Sequence, residues 1–567
     1  MTRSAVLPVL ASGLLGVGLA LGVGVGDGLT GTTDTEELRK IEEAFATITR
    51  HYAEEVDASS LSEDAIEGML AGLDPHSIYI SADDMASVRE SFNASFEGIG
   101  IYYEFVEGVD DRDSLVVLMP IAGGPSEEAG LQAGDRILTI DDTTAVGFDT
   151  GLVQKYLKGP RGTTVDLTVS RPGYREPLTF TIQRDQIPLN TVIATYMADD
   201  VTGVIKLQRF ARTSHEEVLD GIRALRAQGM ERLILDLRDN AGGLLDQAYA
   251  IADEILPAGD MIVYTDSRHR ANSRRYVARP GGAFETEPLI VLVNENSASA
   301  SEIVAGAVQD HDRGLLVGRR TFGKGLVQQQ FPITGGAVLQ MTVSRYYTPA
   351  GRLIQTPYAV GQADEDYYAS KRAIREAVED VLAPDGGLVD ASALGAGVPD
   401  SLRFQTDGGR TVYGGGGILP DYIVALDTIP AALRTTIGKN LDNDFARVHL
   451  EALGDDFRQT WADRQRDFER QFQVDDATFE AFLAHAEARG VPVVDARDDI
   501  EDEDVLVRSE LAEARDDIEM RIKAFMARRL YGADAFFPVV GRIDQTLRES
   551  MELWSNATQL AVADARR

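Results

Sequence analysis

The sequence predicts a multidomain α/β protein, with N-terminal helices, a β-rich domain inserted ahead of a mixed α/β core, and a helical C-terminal region. Three observations carry this. Between residues 186 and 359 short apolar runs such as 288–294 and 315–318 alternate with helix-periodic stretches. Residues 96–185 hold short strand patterns divided by Gly and Pro turns, and from Ile429 onward the chain is charged and helix-periodic. At 567 residues there is length for several cores.

The elements follow in order. Arg3 precedes an uncharged apolar run over 4–25, long enough to span a bilayer but without a cleavage triplet, so 1–30 reads as a signal peptide or a membrane anchor. Either predicts export of the remainder to the periplasm or cell envelope. Residues 35–95 read as amphipathic helices, with Leu73-Asp-Pro-His-Ser77 at a helix exit. Within 96–185, strands are expected at 115–119, 134–140 and 164–169 and a helix at 148–157. The core covers 186–359, a polar and partly helical excursion 360–404, and a returning core strand 405–428. The helical region 429–567 includes an acidic stretch, 495–505, that reads as a solvated face or linker rather than a metal site.

The chemistry lies in the core. Asn296-Ser-Ala-Ser-Ala-Ser-Glu302 follows a buried strand and opens a helix, where free N–H groups and the positive helix end would stabilise an oxyanion beside a serine. The same residues are also a capping box, in which Ser299 only closes the helix and Glu302 bonds back. Lys324 stands in a glycine-flanked turn behind Phe322. It is one of eight lysines (Lys40, Lys155, Lys158, Lys206, Lys324, Lys371, Lys439, Lys523), which makes an idle turn lysine a weaker reading. Desolvation lowers a lysine pKa, and only the neutral amine takes a proton from a serine hydroxyl. Gln328 is placed to hold that amine through its amide oxygen. Upstream, Asp239-Asn-Ala-Gly-Gly243 is a strand-to-helix turn that offers an oxyanion donor at Gly242 or Gly243, working with the N–H of Ala300.

Other chemistries fit less well. Residues 318–325 match the phosphate-loop pattern up to Gly325, which replaces the required Ser or Thr, and a strand pattern follows where a helix should. None of the seven histidines lies in a triad motif, and His311 reads as a helix-end surface residue. The absence of cysteine excludes thiol catalysis and thiolate metal sites. A formal charge of −36, from 91 acidic against 55 basic residues, argues against nucleic acid and anionic lipid headgroups. Such acidity fits a high-salt habitat or an acidic proteome equally well.

Taken together, Asp-Leu-Arg-Asp-Asn-Ala-Gly-Gly, Ser-Ala-Ser-Ala-Ser-Glu-Ile, Thr-Phe-Gly-Lys-Gly-Leu-Val-Gln and Gly-Gly-Gly-Gly-Ile-Leu-Pro-Asp resemble, in order, the signatures of the C-terminal processing peptidases, or tail-specific proteases. The resemblance covers roughly 35 to 426. It implies a serine endopeptidase with a mixed α/β proteolytic core, with Ser299 as nucleophile, Lys324 as general base and Gln328 as the residue that orients the lysine. Gly-Leu-Gln-Ala-Gly-Asp-Arg-Ile-Leu and Lys-Gly-Pro-Arg-Gly-Thr resemble a bacterial PDZ domain, which implies that Gly98-Ile99-Gly100-Ile101 cradles a terminal carboxylate. The expected partners are polypeptides with free or unstructured C-terminal tails. Inner-membrane anchoring and a homo-oligomer are compatible with the sequence, and no metal or cofactor is required. The rival expectations are a noncatalytic PDZ scaffold or adaptor that recruits another protease and, more weakly, a nucleotide-binding protein through 318–325.

Overall fold

The computed structural model describes residues 35–567 except 107–111, 122, 172, 363–364, 374–386, 395–398, 426–428, 496–504 and 565–567. The apolar run 4–25 and nearly all of the acidic stretch 495–505 lie outside the described residues. Among the described residues no helix is long and apolar enough to cross a membrane.

The core is a seven-stranded sheet in the order Val192–Met197, Thr202–Leu207, Arg232–Asp236, Leu289–Val293, Leu315–Gly318, Tyr422–Ala425 and Gly387–Asp390. The four pairings from Thr202–Leu207 to Tyr422–Ala425 are parallel and both edge strands are antiparallel. A parallel sheet must be covered on both faces, which is why Leu289–Val293 is apolar at every position and wholly buried. Helices Ser214–Ala227, Leu245–Asp253 and Ala300–Asp310 supply one cover, through Val218, Ile251 and Val304 among others. The other face is packed by Leu547, Leu553, Trp554 and Ala557 near the C-terminal end. The last helices, Gln545–Met551 and Trp554–Asp564, thus complete the core. The excursion 360–404 likewise gives the sheet an edge strand, Gly387–Asp390.

Residues 101–183 form a separate six-stranded sheet around Ile99, Val117, Ile137, Val153 and Leu167, with helix Thr150–Leu157 against it. Its two ends meet in an antiparallel pair, Ser95–Gly98 with Asp185–Pro188, so the unit can be inserted without disturbing what flanks it. The N-terminal helices are Thr35–His51, Ala58–Ala71 and Asp84–Asn93. After the second, Asp74 accepts hydrogen bonds from the His76 and Ser77 N–H groups, at 3.0 and 3.1 Å, and from the Thr342 hydroxyl at 3.1 Å. This docks the Asp74-Pro-His-Ser77 loop on the long strand Val338–Tyr347, which also pairs with Leu326–Pro332. Because Leu326–Pro332 is a strand, 318–325 opens no helix, contrary to what a phosphate loop requires.

His311 departs from expectation. It does end helix Ala300–Asp310, but it is buried, with Nδ1 2.7 Å from Asp407 Oδ2 and Nε2 2.7 Å from the Met261 carbonyl. Partners far away in the chain, one on strand Met261–Asp266 and one in the turn after Arg403–Gln405, pull in a ring that local sequence leaves exposed.

Candidate active site

Three turns at the C-terminal ends of parallel strands converge. Strand Arg232–Asp236 delivers the turn 239–243, strand Leu289–Val293 the serine turn, and strand Leu315–Gly318 leads to the lysine turn. This is where an open α/β sheet places ligands.

The structure separates the three serines. Ser297 is fully buried and its hydroxyl is committed, donating to the Leu237 carbonyl and accepting the Asn294 N–H at 2.8 and 2.9 Å. Ser301 is also fully buried, donating to the Asn240 carbonyl at 2.8 Å. Ser299 alone is partly exposed, at the N-cap of helix Ala300–Asp310, with φ 53° and ψ −109°. A side-chain-bearing residue at positive φ is strained, and such strain collects at functional turns.

Glu302 does more than cap. It is fully buried, and its Oε2 accepts the backbone N–H groups of both Ser299 and Lys324, at 2.8 and 2.9 Å. Its Oε1 accepts the Thr321 hydroxyl and the Gly323 N–H, at 2.6 and 2.7 Å. One carboxylate therefore fixes the serine turn to the lysine turn. Burial pushes its pKa up, against the lowering effect of those bonds. Opposite, the buried Tyr346 hydroxyl lies between the Ser299 carbonyl, 3.1 Å away, and the Lys324 carbonyl.

Burial also lowers the Lys324 pKa below the ordinary lysine value, although the Glu302 and Asp74 charges pull it back up. His76, which the sequence marked only as part of a helix exit, stands beside it. Burial and the Lys324 charge hold the imidazole down to about 4, with Asp74 opposing and Lys371 adding. It is therefore neutral at ordinary pH. Tyr367, fully buried, reaches His76 Nε2 at 3.3 Å.

Gln328 sits differently from expectation. Its Nε2 donates to the His76 carbonyl at 2.5 Å and its Oε1 accepts from Gln340 at 3.3 Å, and among the described residues no hydrogen bond joins it to Lys324. Strand pairing is irregular here, with Val327 opposite Ser344 and Gln328 opposite Thr342, so that Val343 of the partner strand is the unmatched residue.

The turn 239–243 reaches the serine. A Cβ on Gly242 would stand 2.7 Å from the Ala298 carbonyl oxygen, 2.9 Å from Ser299 Cβ and 3.0 Å from the Ala300 nitrogen, so only glycine lets this backbone come so near. The Gly242 N–H is held by the Asn240 side chain at 2.9 Å, while among the described residues the Gly243 N–H makes no hydrogen bond. Behind the turn, Arg238 bonds Asp236 and also Asp544, from the C-terminal region, both at 2.7 Å. Burial would raise Asp236, but the Arg238 and Lys206 charges outweigh it and hold its carboxyl well below the usual range.

In the 101–183 unit, Gly100 has φ 75° and its carbonyl accepts the Ile121 N–H at 3.0 Å. Gly98 ends the strand Ser95–Gly98, Ile99 is buried in the core of the unit, and Ile101 begins its edge strand half-buried. Among the described residues no cluster of His, Asp and Glu could hold a metal.

Comparison with known proteins agrees with this architecture. The profile of Peptidase family S41 matches residues 201–363, a PDZ domain 116–171, the activating protease CtpB N-terminal domain 26–84, and a family of unknown function 433–532. A carboxy-terminal-processing protease of Bartonella bacilliformis is 36% identical over 324 residues, 56% of this chain and 73% of that protein. The carboxy-terminal processing protease CtpA of Bacillus subtilis is 32% identical over 57% of this chain and 68% of its own length. A carboxyl-terminal-processing protease of Synechocystis sp. is 39% identical over 50% and 66%. With its profile match over the three turns and a relative of this identity spanned for most of its length, the chain belongs to peptidase family S41, as a PDZ-containing serine peptidase among the carboxy-terminal processing proteases.

Proposed function

We propose that the protein is an exported endopeptidase that selects substrates by their C-terminal tails and cleaves them through a Ser/Lys acyl-enzyme route. The observation that carries this reading is the single Glu302 carboxylate bonding the N–H groups of Ser299 and Lys324, which holds a partly exposed serine and a half-buried lysine in one frame. Ser299 Oγ attacks the scissile carbonyl while the neutral Lys324 amine takes its proton, and the resulting ammonium returns that proton to the leaving amine. The oxyanion forms where the Ala300 N–H meets the turn of Gly242 and Gly243. Of the two glycines, Gly243 fits the role better, because its N–H is not already taken. Water then repeats the sequence on the acyl-enzyme. Gln328 would act through its contact with the His76 carbonyl beside Lys324, or turn to the amine once substrate arrives.

In the PDZ domain a tail would pair with the edge strand Ile101–Val106, its carboxylate received at residues 98–101. Since Ile99 is core, Ile101 is the side chain such a tail would meet. Export rests on the apolar N-terminal run, which leaves signal peptide and membrane anchor equally served.

The test is cleavage of an unstructured reporter by the purified protein, with cuts mapped by mass spectrometry. Ser299→Ala and Lys324→Ala should each abolish turnover with the fold retained, whereas Ser297→Ala and Ser301→Ala keep the nucleophile. Wild-type turnover in Ser299→Ala would refute the mechanism.

A further inference from the structure

The helix over 365–373 packs on the lysine turn. Tyr367 meets the His76 ring edge-on at 5.6 Å, Tyr368 meets Phe322 edge-on at 6.5 Å, and Lys371 lies over the Phe322 ring. Beneath it is a cavity of about 300 Å³ whose walls include Asn296, Arg320, Phe322, Tyr368, Lys371 and Arg372. Asn296 lies three residues before Ser299 and Phe322 two before Lys324, and the Phe322 N–H donates to the Ser297 carbonyl at 3.0 Å. The cavity therefore shares its walls with both catalytic turns.

Its charge stands out. In a chain of net charge −36 with eight lysines, this wall carries three cations. Its one acid, Glu295, is already paired with Arg319 at 2.7 Å. Lys371 Nζ is buried and has no hydrogen-bond partner among the described residues. A buried ammonium without an acceptor is costly, and an arriving carboxylate would remove that cost. Consistent with this, burial brings the Lys371 pKa down to about 7, with Glu302 opposing and Lys324 adding to the fall.

We propose that this cavity is a substrate subsite for the carboxylate of an acidic side chain, Asp or Glu, near the scissile bond, with Lys371 as its principal partner and the Phe322 and Tyr368 rings beside its methylenes. This rests on the peptidase reading above and extends it to a substrate preference.

The test uses internally quenched peptides carrying Glu, or Gln in its place, at each internal position in turn, with the C-terminus held constant so that tail recognition cancels. One position should show kcat/KM about tenfold higher for Glu, the worth of one charge-assisted hydrogen bond. Lys371→Met should bring that ratio towards one, Lys371→Arg should preserve it, and Lys371→Glu should reverse it in favour of Lys over Gln. Equilibrium binding of the same pairs to Ser299→Ala protein, read by fluorescence anisotropy, reports the subsite without turnover. No cleavage by wild type, or equal cleavage by Ser299→Ala, would overturn the peptidase reading, while the binding ratio would still judge the subsite. Equal binding of Glu and Gln peptides at every position, or a ratio unmoved by Lys371→Met and Lys371→Glu, would overturn the subsite alone.

Discussion

Glu302→Gln isolates the link between the serine turn and the lysine turn. The carboxylate receives four donors, two on each oxygen. A glutamine keeps its shape but offers one acceptor oxygen. If that oxygen faces the Ser299 and Lys324 N–H groups, the new amide nitrogen faces the Thr321 hydroxyl, which can turn and accept, and the Gly323 N–H, which cannot. Orphaning one buried N–H and neutralising two charge-assisted bonds costs about 2–4 kcal/mol, less whatever is recovered by no longer burying a charge. The same loosening should cost activity, since a misplacement of about 1 Å can lower kcat by about a hundredfold. There is also an electrostatic signature. The Glu302 charge holds the Lys324 pKa up, so its removal should move the acid limb of the kcat/KM profile to lower pH even as the plateau falls. Steady-state kinetics across pH, with chemical denaturation for stability, reads both effects. A wild-type plateau, or an acid limb displaced to higher pH, would refute the argument.

In the unmodified protein, activity should rise with pH through a Lys324 pKa that burial places below the ordinary lysine value, because in the proposed mechanism only the deprotonated amine can act as the base. His76 is held down to about 4, so an inflection near the ordinary histidine value that vanished in His76→Gln would contradict this assignment. Gly242→Ala should lower kcat/KM by at least about a hundredfold with circular dichroism unchanged, because φ is 97° and the added Cβ falls 2.7 Å from the Ala298 oxygen, displacing the serine turn. Wild-type turnover in that variant would show that the turn is not held against Ser299.

How much of this was legible depended on how local its cause was. The all-buried strand Leu289–Val293, the cap at Ser299 and the tight glycines of 239–243 each leave a signal within a few residues. Asp74, His76, Tyr346 and Tyr367 carry no such signal, because they reach the site only through long-range pairing, as with Ile78–Ile80 on Val338–Tyr347. Gln328 shows the limit of reading spacing alone. Gln328 does lie on the strand expected after Lys324, but its amide nitrogen goes to the His76 carbonyl, a partner from far away in the chain that spacing cannot show. Lys371 was hidden by a polar neighbourhood that reads as an excursion, and its scarcity among eight lysines was the only available hint.

The C-terminal region, most of which matches a family of unknown function, gains a structural rationale from the same geometry. Its helices Leu441–Trp461 and Arg508–Tyr531 share an apolar cluster with Phe445, Phe482 and Ile518, and from that body Arg529 reaches Glu104 at 3.0 Å. Glu104 lies on Ile101–Val106, the edge strand to which a bound tail would add. The next segment sends Asp544 to Arg238, immediately before the turn that would offer the oxyanion donors, and then Trp554 over Arg232 at 4.7 Å and against the back of the parallel sheet. A sheet of this kind cannot leave that face to water. The region is therefore built into the peptidase, and it spans from the strand that would receive a tail to the turn that would stabilise the transition state.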